Sequence, residues 1–204
     1  MYRIFIVLLF TATASLAQQS KMEADRLKNI QAKQFWLATG SGLNNHFGLL
    51  GISMEYKLPG KWSVFGGIGF GTWGNKLGAG MRIYKQYPVK RAFSFSLTQA
   101  SGLSDIDLKT NTINPNGIVV DTTVAFNLYP VWQLNASWMR FWRLSDWCRF
   151  YIEAGYSFAL SQQRTKNFEI TTPGYQPSQL TKRVMSAFQP GGITVSLGFS
   201  FALD

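Results

Sequence analysis

From Ile193 to Leu203 every second residue is large and apolar: Ile193, Val195, Leu197, Phe199, Phe201 and Leu203. Between them stand Thr194, Ser196, Gly198, Ser200 and Ala202. A β-strand turns successive side chains to opposite faces, so this period predicts one greasy face and one small or polar face. The same period begins at Phe35 and predicts eight strands along the chain. The first covers about 35–41. The second, 47–58, sets Leu50, Ile52, Met54 and Tyr56 against Gly51, Ser53 and Glu55. After the Pro59-Gly60 turn, the third sets Trp62, Val64, Ile68 and Phe70 against Ser63, Gly67, Gly69 and Gly71. The fourth shows Leu77, Ala79, Met81 and Ile83 against Gly78, Gly80 and Arg82; the fifth shows Phe93, Phe95 and Leu97 against Ser94, Ser96 and Thr98. A long sixth, 124–138, places Val124, Phe126, Leu128, Trp132 and Leu134 on one face, and Pro130 inside it marks a bulge or a second segment. The seventh is 150–160 and the eighth closes the chain. Residues 101–121 and 161–189 are predicted to be long polar loops.

These strands predict an all-β fold, a single up-and-down antiparallel transmembrane β-barrel. Strands of about nine to eleven residues match the thickness of a bilayer. In lipid an unpaired sheet edge costs several kcal/mol per group, so such a sheet must close. Eight strands enclose just enough room for side chains, not an aqueous channel. With the N-terminus at the periplasmic side, the short connections fall on that side and the two long ones on the other, the asymmetry of outer-membrane barrels. Aromatic residues sort to strand ends: Trp36, Tyr56, Trp62, Phe93, Trp138, Trp142, Phe150 and Phe201 at the periplasmic rim, and Phe47, Phe70, Trp73, Phe126 and Phe158 at the outer rim. This sorting predicts two aromatic girdles.

The first residues carry a different pattern. Arg3, the apolar run 4–10 and Ser15-Leu16-Ala17 predict a signal peptide over 1–17, cleaved after Ala17. Residues 18–34 form a polar periplasmic leader. Ser20 and Glu23 fit a capping box and Met22, Leu27 and Ile30 share a helical face, so the leader is either a short helix or unstructured. The barrel then occupies 35–204.

Composition sharpens this picture. Only 15% of the 204 residues are charged, where a soluble domain has about 25%. Mean hydropathy is nonetheless −0.02, because alternation averages the two faces. The formal net charge is +10, but no compact basic run or nucleic-acid motif accompanies it. Lys57, Lys61, Lys85, Lys90, Arg91, Arg140, Arg143 and Arg149 fall in or near predicted turns, which suits anionic lipid headgroups. The lone Cys148 excludes an internal disulfide.

Candidate chemistry is sparse. Glu55, Arg82 and Glu153 have inward parity at a shared level, which predicts a structural lumen cluster of Arg82 with the two carboxylates, joined by Gln133 and Asn135. Buried charge survives only when paired. His46 is the only histidine. In Asn44-Asn45-His46 it is expected to be a polar turn residue at the outer end of the first hairpin. A lipid-modifying enzyme would need it beside a serine such as Ser41, with a third group orienting it; Asp105 and Asp121 approach only from a loop. No nucleophile motif, metal-ligand spacing or phosphate loop is recognisable, so no catalytic, cofactor or metal residue is assigned.

The signal ending at Ala17-Gln18, the second strand GLLGISMEY, the seventh FYIEAGYSFAL and the terminal GGITVSLGFSFALD together resemble the outer-membrane β-barrel domain family of Bacteroidetes-type bacteria. The resemblance covers about 35–204 and implies a small surface barrel without transferable catalytic residues. Such barrels commonly end on an aromatic residue read by the assembly machinery; here Ala202-Leu203-Asp204 follow Phe201. The expected partners are outer-membrane lipids and lipopolysaccharide, the assembly machinery through the last strand, and a surface ligand of the long loops. The expected location is the outer membrane. Two other functions are consistent with the pattern: a lipid A- or phospholipid-modifying enzyme using His46, and a soluble lipocalin-like barrel.

Overall fold

Alternation over a whole strand commits it to a two-faced sheet, and here the sheet closes on itself. The computed structural model describes residues 32–86, 90–160 and 167–203, with Met22 and Lys28. The predicted signal peptide, 1–17, lies outside the described residues, as does most of the predicted leader. In chain order the strands are β1 (Phe35–Leu43), β2 (Leu50–Lys57), β3 (Trp62–Gly71), β4 (Gly74–Tyr84), β5 (Lys90–Ala100), β6 (Leu103–Ile113), β7 (Val119–Leu128), β8 (Val131–Arg143), β9 (Cys148–Ala159), β10 (Phe168–Ile170), β11 (Gln176–Pro177) and β12 (Gly192–Ala202), with the helix α1 (Gln179–Phe188) before the last.

The closed barrel has the order β1-β12-β9-β8-β5-β4-β3-β2, and its neighbouring strands are antiparallel. The seam pairs β1 with β12, from Trp36 opposite Ala202 to Leu43 opposite Val195. The greasy rows point outward: Ile52, Ile68, Leu77, Phe95, Leu97, Leu134, Val195 and Leu197 are all exposed. The inward rows are buried and mostly polar.

The sixth predicted strand needs correcting. Pro130 lies between β7 and β8, so 124–138 is two segments in two sheets. Proline has no N–H for a ladder, and Tyr129 beside it turns out of the barrel, its N–H donating to the Asn167 carbonyl at 2.8 Å. Val124, Phe126 and Leu128 are therefore buried rather than outward. The long connections also contain regular structure. β6 and β7 form a hairpin around the Asn114–Gly117 turn, and the second sheet has the order β10-β7-β6-β11. With α1 this sheet forms a cap at the end of the barrel opposite the termini. Its core joins Trp73, Val124, Phe126, Leu128, Val131, Phe168 and Met185. The Ser178 hydroxyl caps α1 by accepting from the Thr181 N–H at 3.2 Å.

The aromatic sorting is also revised. Trp36 lies wholly inside the barrel; Phe47 is buried, and Trp73 and Phe126 belong to the core of the cap. Tyr56, Trp62, Phe93 and Trp142 remain exposed towards the terminal end, and Phe70 and Phe158 towards the cap. Proximity in sequence to a strand end does not separate a ring pointing out from one pointing in.

Two predictions follow from the cap. Phe126→Ala should cost about 3–5 kcal/mol of cap stability, seen as faster limited proteolysis within 103–128 while the barrel keeps its heat-modified gel shift. The Tyr129 hydroxyl donates to Glu169 Oε2 at 2.5 Å, and that hydrogen bond, with the carboxylate's charge, holds the phenol above its ordinary range. A raised folded-state value stabilises the cap fully below the ordinary phenol range, and that contribution is lost as pH rises through the raised value. Alkaline difference absorbance against Tyr129→Phe should show one late-titrating phenol.

Candidate functional site: a charged lumen sealed by an inward loop

Eight strands leave an interior that side chains must fill, and the fill is ionic. Glu55 on β2 is at the centre of one group. Its carboxylate receives Arg82 Nη1 at 2.6 Å and Arg149 Nη2 at 2.7 Å. The Ser63 hydroxyl and the Tyr84 hydroxyl each donate to it at 2.6 Å. Both guanidinium groups also lie over rings: Arg82 over Phe65 at 4.1 Å, Arg149 over Trp36 at 4.1 Å and over Phe141 at 4.4 Å. Stacking and carboxylate contacts together replace the water these cations have lost.

Arg149 is a correction to the sequence reading, which placed it in a turn. It is entirely buried, because Cys148 begins β9 and residue 149 already has a partner, Ser200, across β12. Arg149, Tyr151 and Glu153 form one inward row at period two, and a strand begun at Cys148 rather than Phe150 brings Arg149 into it.

Glu153 stands in a second group. It pairs with His46 Nε2 and accepts from the Ser137 hydroxyl at 2.5 Å and the Ser196 hydroxyl at 2.8 Å. The predicted single cluster is thus divided: Arg82 binds Glu55, while the Glu153 carboxylate meets the His46 imidazole. Gln133 and Asn135 join neither carboxylate. The Gln133 amide donates to Ser157 at 2.9 Å, and the Asn135 amide donates to Ser96 and Thr98 at 3.1 Å.

His46 is the second correction. It is 1% exposed, not a polar residue of the outer turn. The connection between β1 and β2 folds into the barrel mouth, burying Asn45, His46, Phe47 and Gly48. The Asn44 amide donates to the Gly191 carbonyl at 2.9 Å and pins the rim. Lys76 Nζ donates to the Asn45 carbonyl at 3.0 Å and holds the loop from below. The glycines of the facing wall make room for it. A Cβ at Gly69 would lie 2.0 Å from the Phe47 carbonyl oxygen, and one at Gly51 would lie 2.5 Å from Phe47 Cβ. The inward glycine run of β3 is therefore the bed of this plug.

Ser96 Oγ lies 2.5 Å from His46 Nδ1, so a serine, the histidine and Glu153 are in line. Ser96 is 4% exposed and sits beneath the plug, and its hydroxyl also receives the Asn135 amide. A carbonyl substrate must reach the hydroxyl for acyl transfer, whereas here the hydroxyl is a packing contact. Ser41 is exposed on the barrel wall, on the opposite side of the sheet from His46. Asp105 is exposed in the cap, and Asp121 pairs there with Lys109 at 3.7 Å. Among the described residues no group of His, Cys, Asp and Glu is arranged to hold a metal. Compared with known proteins, the chain matches no family model and no curated sequence.

Removing one member of a buried ion pair costs about 3–5 kcal/mol, because the other is left uncompensated. Glu55→Leu, which strands two arginines, should lower the urea concentration at which the heat-modified shift is lost by more than His46→Leu, which strands one carboxylate that keeps two hydroxyl donors.

Proposed function

We propose that this chain is a small outer-membrane β-barrel with a side-chain-filled interior, whose cap serves a structural or surface-interaction role. One observation carries the reading: the barrel is inside out. Leu, Ile, Val, Phe and Met side chains cover its exterior, while two carboxylates, two guanidinium groups, a histidine and a ladder of serines and threonines fill its interior. A water-soluble barrel of lipocalin type would bury the apolar rows around a ligand. Monomeric soluble proteins rarely expose contiguous apolar patches beyond a few hundred Å², and here the exposed apolar rows run across strand after strand. The expected location is the outer membrane, with the termini in the periplasm and the cap outside.

The basic residues fit the same reading. Lys61, Lys85 and Arg91 are exposed at the terminal end, where anionic headgroups would meet them. Arg140 lies over Trp142 at 5.2 Å, an amphipathic pair suited to the interface. Lipopolysaccharide and other lipids are the expected surroundings, and β12 is the segment presented to the assembly machinery. The resemblance to the Bacteroidetes-type barrel family points the same way. No catalytic role is assigned to His46, because it is buried as part of the plug.

The test is fractionation of the expressed chain. It should remain in the membrane pellet after alkaline carbonate and run with a heat-dependent shift in a detergent gel; release as a soluble monomer overturns the reading. Leu197→Arg, at the middle of β12 on the exterior, should lower the stability of the lipid-embedded barrel by about 2–4 kcal/mol, whereas in a water-facing wall it would be close to neutral.

A further inference from the structure

The cap leaves apolar surface uncovered where it meets the barrel. On α1, Leu180, Val184 and Phe188 recur every fourth residue, forming one line, and all three are exposed. The side of the helix that packs inward carries only Thr181 and Met185. Thr181 holds the first turn, its hydroxyl donating to the Asn111 carbonyl. At the other end the Thr72 hydroxyl donates to the Phe188 carbonyl at 3.2 Å. The helix is thus hydrogen-bonded to its surroundings near both ends, and along its length a groove of about 410 Å³ lies between it and β6. Leu103, Ile106 and Leu108 form the strand side of that groove, Val184 and Phe188 the helix side.

A second cleft, of about 310 Å³, shares Thr72, Trp73 and Phe188 with the first. Its far wall is Leu43, Leu49 and Ile193, which are exposed residues of the barrel rim. The two clefts therefore adjoin at Thr72, Trp73 and Phe188, between the barrel rim and the cap. Each of the two volumes is at the lower end of the range of small-molecule sites.

We propose that the two adjoining clefts together bind one hydrocarbon chain of an outer-leaflet lipid, entering over Leu43, Leu49 and Ile193 and lying between α1 and β6. The inference rests on the membrane reading above. Continuity with the barrel's apolar wall selects the occupant: exposed Ile193 on the wall and Phe188 on α1 line the same cleft. Arg183, exposed on α1, suits an anionic headgroup above it.

The experiment uses the full chain with Cys148→Ser, reconstituted in nanodiscs whose phospholipids carry bromine on the acyl chains. A bimane fluorophore is attached at Val184→Cys in the groove, at Leu197→Cys on the barrel wall, or at Lys182→Cys on the opposite side of α1. Chain bromines should quench the groove position to an extent similar to the wall position and severalfold more than the Lys182 position. Quenching at Val184 no greater than at Lys182, with Leu197 strongly quenched, overturns the groove and leaves the membrane barrel standing. Absence of quenching at Leu197 overturns both. If Val184→Cys loosens the cap, Leu103→Cys on the strand side is read in the same way, with the same outcomes deciding.

Discussion

The carboxylate of Glu55, held between Arg82 and Arg149, is the contact on which the barrel depends. A sheet whose outer face is oily turns its polar groups inward, and in a lumen only wide enough for side chains those groups must largely pair with one another. One acid facing two cations leaves an excess of positive charge, and the structure meets it with π-faces: Phe65 under Arg82, Trp36 and Phe141 against Arg149. Four strands are tied by this one group, with Glu55 on β2, Ser63 on β3, Arg82 and Tyr84 on β4, and Arg149 on β9. The last of these reaches across the lumen, so the ion pair fixes the barrel's cross-section as well as its charge.

The upper half of the lumen is built on a different principle. There a loop, rather than a strand, supplies the imidazole that contacts Glu153. His46 is brought by the chain between β1 and β2, and its entry is possible because β2 and β3 present glycine where the loop backbone passes. The glycine run and the histidine are therefore parts of one device. The same device accounts for the alignment of Ser96, His46 and Glu153: each fills the hydrogen-bonding needs of its neighbour beneath the plug.

At the mouth the apolar side chains change roles. Trp73, Val124 and Phe126, which continue the rhythm of the wall, turn into the core of the cap. The cap's own helix then offers Leu180, Val184 and Phe188 outward. The boundary between barrel and cap is thus where inside-out packing gives way to ordinary packing, and the uncovered groove lies along that boundary.

Period two, read from the chain alone, determined the strands β1 to β5, β9 and β12 and the facing of most of their residues, because a pleated strand leaves no choice once one face is oily. It also marked Glu55, Arg82 and Glu153 as inward. It did not determine which charges meet: that depends on register and shear, which bring Arg149 to Glu55 from 94 positions away and leave Arg82 on one carboxylate only. It could not place His46, because a loop that turns inward has no periodicity to read. Nor could it divide 124–138 between two sheets, since both segments obey the same alternation and only the tertiary structure decides whether a strand's greasy face stays on the barrel's exterior or enters the core of a cap.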